Sequence, residues 1–193
     1  MPKKSKIYRG GQTAKAIKNF PFSFRYSQRE FIYAIVEIKK SAAIGHVLAG
    51  ELGSERGQAI VKACDEILSG KHLDSFVLSA FQGGAGTSNH MNANEVIALR
   101  ATEILAERNK AKIAVHPNDH VNMSHSTNDV MPSALRISAV RMIDKLLSTL
   151  DVLILALEKK AKEFAHIKKL GRTHLQDAVP ITLGQEFSAY AQY

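Results

Sequence analysis

The chain has 193 residues, 45% hydrophobic and 23% charged, a globular composition that excludes collagenous, low-complexity and disulfide-scaffold classes. Its 26 Lys and Arg against 18 Asp and Glu leave a formal charge of +8. The positive residues are scattered over several predicted elements, Trp is absent, and no basic–aromatic interleaving occurs. The charge therefore suits attraction of a small anionic substrate better than nucleic-acid binding, which is not expected.

A single cysteine, Cys64, excludes an intrachain disulfide and suits a reducing cytoplasm. Lys3, Lys4 and Lys6 are followed by no apolar signal segment, and no uncharged apolar run approaches the ~18 residues of a membrane span. The expectation is a soluble cytoplasmic protein that does not contact membranes.

The segment ahead of Tyr26 holds Pro2, Gly10, Gly11 and Pro21 and reads as irregular. Ser27-Gln-Arg-Glu30 then has the form of a capping box, followed by Phe31, Ile35, Ile38, Ala42 and Leu48 at helical spacing. A second helix should carry Ile60, Ala63, Cys64, Ile67 and Leu68 and stop at Gly70. Residues 71–81 read as extended or looping, and a third helix is expected from Asn92 to Arg108.

Between Pro132 and Leu170 there is no glycine or further proline, and apolar residues recur every three or four positions from Leu135 to Phe164. This predicts one helix of about 55 Å with Pro132 at its first position. So long an apolar stripe calls for a helical bundle, within the chain or between chains. Thr182-Leu-Gly-Gln185 resembles another capping box, and the chain stops at Tyr193, about three turns into the helix it opens. The expected fold is mainly α and incomplete. A small helical N-terminal domain, residues 1–123, precedes the beginning of a long-helix bundle, residues 124–193.

Three stretches depart from scaffold patterning. Gln82-Gly-Gly-Ala-Gly-Thr-Ser88 leads into the run Asn89 to Glu95. It lets backbone N–H groups approach a ligand and places the Thr87 and Ser88 hydroxyls ahead of a helix N-terminus, where an anion is favoured. It lacks the Lys of a phosphate loop, and alone it reads equally well as a glycine-rich turn with a helix cap.

The second stretch, His116 to Asp129, packs three His, three Asn, two Asp, two Ser and a Thr into fourteen residues. Zinc held by His116, His120 and His125 is a rival reading. Pro117-Asn118-Asp119 disfavours the regular helix that would align an i, i+4 pair, and Cys64 is remote, so no metal site is expected. Ser126-Thr127-Asn128, just ahead of the long helix, is the sharper feature: a set of donors aimed at a carboxylate. In the third stretch, Gly171 to Pro180, Thr173 and His174 lie in a linker between helices, and Asp177 is placed to fix the tautomer of His174. No G-x-S-x-G elbow supports a hydrolase.

Taken together, Gln82-Gly-Gly-Ala-Gly-Thr-Ser88, Ser126-Thr-Asn-Asp129 and Thr173-His-Leu-Gln-Asp177 resemble the fumarase/aspartase superfamily of lyases. Gly11-Gln-Thr13 and Asn19-Phe-Pro21 look like its entry segment, so the likeness covers nearly the whole chain. The first two motifs look like the aspartate ammonia-lyase branch, whereas His116-Pro-Asn-Asp119 leans towards fumarase. The third fits either. The resemblance favours elimination of ammonia from L-aspartate to give fumarate. Fumarate hydration to L-malate is the alternative, and a non-catalytic piece that keeps only a subunit-binding surface is a third reading.

The resemblance also implies roles. Thr87, Ser126 and Thr127 would grip the carboxylate beside the acidic proton, with Gly86 and Ser88 shaping the loop. Asn128 and the catalytic His174 would contact the departing amino group, and Thr173 the substrate's other end. His116, Asn118 and Asp119 match the fumarase second anion site. No cofactor is implied. The partners are a C4 dicarboxylate (aspartate, fumarate or malate) and further copies of the chain, as a homo-oligomer that is a tetramer at full length. Two positions depart from the family: His90 where Asn is usual and His125 where Gln is usual. The family's serine base, with its Lys and Asn, lies on a later segment that these 193 residues do not contain, so the piece alone is expected to be inactive.

Overall fold

The computed structural model describes residues 6–22, 25–82, 84–109 and 113–193. Pro2, Lys3, Lys4, Gly83 and residues 110–112 therefore lie outside the described residues. The chain is mainly α and divides into two compact units, Met1–Ala139 and Val140–Tyr193.

In the first unit, α1 (Gly11–Asn19), α2 (Arg29–Leu48), α3 (Ser54–Leu68) and α4 (Thr87–Asn109) precede the opening turns of α5 (Thr127–Glu163). A 3₁₀ turn at Leu73–Ser75 and a π-helical turn at Pro117–Val121 punctuate the connections. α2, α3 and α4 bury Val36, Ile60, Cys64, Ile67, Val96, Ile97, Ile104 and Leu105 in one core. A smaller cluster joins Ala34 and Ile35 of α2, Ala93 of α4 and Val130, Met131 and Ala134 of α5.

α1 lies where the sequence reads as irregular. Its free N–H groups are capped from a distance: the Glu95 carboxylate accepts from Gln12 N (2.8 Å) and Thr13 N (2.9 Å). The capping box at Ser27 does not form. The N-cap of α2 is Gln28, without a side-chain bond, so Ser27 stands one residue too early. α3 ends as expected at Gly70, whose φ of +93° suits glycine, with Gly70 N bonded to Ile67 O and Lys71 N to Glu66 O. In the 71–81 stretch, Ser79 bridges Tyr26.

α4 begins at Thr87, five residues before the expected Asn92. Gln82 Oε1 accepts from Asn89 N (3.2 Å), supplying a cap from the preceding loop. α5 likewise begins ahead of Pro132, which is its sixth residue and not its first. Ser126 opens the helix: its Oγ accepts from Asn128 N (3.1 Å) and its carbonyl from Val130 N (3.0 Å).

In the second unit α5 ends at Glu163, short of the expected Leu170. The segment after it pairs instead as β1 (Lys168–Thr173) against β2 (Gln176–Thr182), antiparallel, with an irregularity at Gly171. The return of the chain uses carbonyls just past the helix, Phe164 O accepting from Gly184 N and Ile167 O from Leu183 N. α6 (Leu183–Gln192) starts with the expected capping box, Thr182 Oγ1 accepting from Gln185 N and Gln185 Oε1 from Thr182 N. Gly184 permits close approach, since a Cβ there would lie 2.4 Å from Ala161 O.

The apolar stripe of α5 is bare in the single chain, with Leu146, Leu147, Leu153 and Leu155 each more than half exposed. No helix is long and apolar enough to cross a membrane among the described residues.

Candidate functional site

The ends of α4 and α5 bring two of the three motifs together. Gly84 and Gly86 have φ of +76° and +83°, which L residues rarely adopt. Gly86 also lies against α5, where a Cβ on it would sit 2.7 Å from Met131 Cε and push that flexible side chain aside. A second tie joins His90 Nδ1 to Thr127 Oγ1 at 2.8 Å. Gly86, Thr87 and Ser88 therefore adjoin Ser126, Thr127 and Asn128 at two neighbouring helix N-termini. Thr87, Ser126 and Asn128 are exposed, and Ser88 and Thr127 partly so. The arrangement offers hydroxyls, an amide and helix-end N–H groups without a formal charge, which suits a carboxylate.

A buried polar cluster lies behind these helix ends. His90 is 1% exposed and its Nε2 has no hydrogen-bond partner. Lys39 of α2 is fully buried, and its Nζ donates to Asn122 Oδ1 (2.7 Å) and lies 2.9 Å from His125 Nδ1. Burial first, then the Lys39 charge, holds the His90 imidazole down at about 3 and that of His125 at about 4. Burial pulls Lys39 itself down to about 7. His90 and His125 thus occupy one cluster with Lys39, and both imidazoles are neutral at physiological pH.

Sequence reasoning missed Lys39 and Asn122. The signal was present for Lys39, which falls four residues after Ile35 and four before Ala43, on the buried row of α2.

His116, Asn118 and Asp119 sit together at the π-helical turn, all exposed. His116 Nδ1 accepts from Asp119 N (3.2 Å) and faces Asp119 Oδ2 at 3.1 Å, so this imidazole nitrogen is already used within the turn. His120 Nδ1 accepts from His116 N (2.7 Å), while His125 turns towards Lys39. No group of three or more His, Cys, Asp or Glu converges in metal-binding fashion among the described residues.

In the second unit, Thr173 and His174 are not in an irregular linker between helices but at the tip of the β1–β2 hairpin. Thr173 pairs with Gln176, and the two turn residues, His174 and Leu175, have φ of +46° and +61°. Positive φ at both centres is what a two-residue hairpin turn of the primed type requires, and it projects His174 into solvent. No hydrogen bond joins His174 to Asp177 among the described residues; Asp177 pairs instead with Arg172 across the strands.

The profile described as Lyase matches residues 2–193, so the chain belongs to that lyase family. It is 50% identical over 186 residues to the aspartate ammonia-lyase of Bacillus subtilis (strain 168), covering 96% of this chain and 39% of that protein. It is also 50% identical over 184 residues to a class II fumarate hydratase of Campylobacter jejuni, covering 95% of this chain and 40% of the relative.

Among solved structures, a Brucella melitensis fumarate lyase:delta crystallin in native form superposes with a TM-score of 0.75 at 46% identity, over 97% of this chain and 43% of that one. A recombinant class II fumarase from Schistosoma mansoni gives 0.73 at 39% identity, over 100% and 40%. The chain spans about two fifths of the length of the curated relatives it matches.

Proposed function

We propose that the chain is the N-terminal portion of a lyase that eliminates ammonia from L-aspartate to give fumarate, in a complete protein that is a homotetramer. The supporting observation is the pairing of the α4 and α5 N-termini through His90–Thr127 and Gly86–Met131. On this reading Thr87, Ser126 and Thr127 are the uncharged donors for one substrate carboxylate.

In the reaction a proton leaves Cβ to a base, the C–H electrons form the C=C bond, and the C–N bond electrons depart with ammonia. Donors already fixed at helix ends stabilise the charge that builds on the carboxylate as the proton leaves, without reorganising at that moment. Asn128 contacts the departing amino group, Thr173 the far end of the substrate, and His174, solvent-facing on its turn, carries protons or orients the leaving group. The base is the family's later serine. The domain boundary falls at residues 123/124, ahead of α5, and the exposed α5 stripe is the surface that further copies cover.

Fumarate hydration is a second reading, favoured by the His116-Pro117-Asn118-Asp119 turn and by equal identity to a fumarate hydratase. Fumarate formation by the complete protein, followed by ultraviolet absorbance from L-aspartate and L-malate in parallel, separates the two. Aspartate turnover is expected. Turnover of malate alone would establish the hydratase, and turnover of neither would overturn both.

A further inference from the structure

Lys39 is the largest fully buried side chain among the described residues. An ammonium has three donors, yet its two hydrogen-bond partners, Asn122 Oδ1 and His125 Nδ1, are both neutral. Among the described residues no carboxylate is hydrogen-bonded to its Nζ. α3 contributes Cys64, whose thiol is pushed up to about 12 by burial and stays protonated, while Asp65 is bonded to Lys40 at 2.6 Å. α4 contributes the neutral His90. The segment entering α5 contributes His125, which feels Asp129 of α5 and His46 of α2, and His46 is itself paired with Glu51 at 2.6 Å. A buried ammonium without a carboxylate is costly unless a charge arrives from elsewhere.

The cluster's outlet is the helix end. Asn122 and His125, the two groups on Lys39, close the turn that opens α5, with His125 N bonded to Asn122 O at 3.1 Å and Ser126 following directly. His90 bonds Thr127 on one side, and its buried Nε2 is unpartnered on the other.

We propose that the anion bound at the α4 and α5 N-termini is the counter-ion of Lys39, so that a dicarboxylate binds there together with one proton taken up by that amine. The proposal rests on the reading of the site given above. Lys39 is a positioning residue: it acts through the Asn122–His125 turn and through its charge, and does not touch the substrate. Its ammonium is held down to about 7 in the free protein, so near neutral pH much of it is uncharged amine, which a neighbouring carboxylate would protonate. By linkage, the anion then binds more tightly as pH falls towards 7 and gains little below it. His90 and His125, held at about 3 and 4, contribute nothing to that slope above pH 6.

The test is calorimetric titration of the complete protein with fumarate, whose carboxylates stay ionised throughout, at pH 6 to 9 in buffers of different ionisation enthalpy. The expected result is net uptake approaching one proton at pH 8 and an affinity loss approaching about tenfold for each pH unit above 7. Lys39→Met should abolish both, and His125→Gln, which keeps an acceptor for the amine, should retain the uptake. If Lys39→Met does not fold, Lys39→Arg, whose guanidinium stays charged from pH 6 to 9, should bind fumarate without the uptake. Binding without proton uptake and with affinity flat from pH 7 to 9 overturns the proposal while leaving the anion site standing. Uptake that persists in Lys39→Met overturns it as well. Failure of fumarate to bind at any pH removes the site reading, and the proposal with it.

Discussion

In the unit of residues 1–139, polar side chains go inside and bond across long stretches of chain. Glu95 reaches back to Gln12 and Thr13, Lys39 forward to Asn122 and His125, and Arg100 back to Glu66. In the unit of residues 140–193, apolar side chains face out and the side-chain bonds reach only a turn or a hairpin's length: Thr182 with Gln185, Lys160 with Glu163, Lys169 with Glu186. Buried polar groups are tolerated only when their partners are in place, so the first unit must be correctly assembled before its helix ends can present donors. The second unit holds its hairpin locally and leaves the α5 stripe uncovered, as the proposed oligomer requires.

The largest effect should come from breaking a buried polar link in the first unit. Glu95→Ala removes the acceptor of two backbone N–H groups and of the Thr13 hydroxyl, and should cost about 3 kcal/mol in urea unfolding, because each buried donor left unpaired costs ~1–3 kcal/mol.

Acid should act on the same unit. The folded-state values of His90 and His125, about 3 and 4, lie below the unfolded value, so the unfolded chain binds more protons as pH falls through 6.5. Their contribution is intact above pH 6.5 and is lost progressively towards pH 3, by up to about 1.4 kcal/mol per pH unit for each group. His90→Asn should flatten the decline in melting temperature over that range. A profile unchanged by the substitution would mean that His90 is not the buried neutral group described.

Gly86→Ala should be milder, about 1–2 kcal/mol for an alanine forced to positive φ, with the Met131 side chain giving way, and fumarate binding should weaken alongside. Smallest of all should be Leu146→Ser with Leu153→Ser on the exposed α5 face. Stability of the free chain should change by no more than about 0.5 kcal/mol for each, while light scattering should show weakened self-association. A large loss of stability in the monomer would contradict the bare-stripe description.

The sequence patterns that proved reliable are those whose cause is local. The helical spacing of Phe31 to Leu48, the glycine stop at Gly70 and the Thr182 capping box each depend on residues within a turn or two. What was not legible depends on distant partners. α1 is stabilised by a carboxylate some eighty positions away, and α4 starts early because Gln82 folds back on it. The hairpin at 168–182 was hidden because its turn is His-Leu and not Asn-Gly, and because Pro180 argues against a strand. Pro180 is tolerated because a two-stranded sheet leaves each strand one unpaired edge. At the site, the motifs marked the donors on α4 and α5. They did not reveal Lys39, since one Lys among several on a helix shows its burial only through its register with Ile35 and Ala43.

The central claim is that the paired N-termini of α4 and α5 hold a dicarboxylate. Its most direct test is the fumarate affinity of the complete protein with Thr87→Val, a substitution at an exposed hydroxyl that removes one donor and leaves the volume nearly unchanged. The account predicts an unaltered melting temperature without ligand and an affinity weaker by roughly tenfold or more, the value of one hydrogen bond to a charged group. Unchanged affinity would show that the anion is held elsewhere.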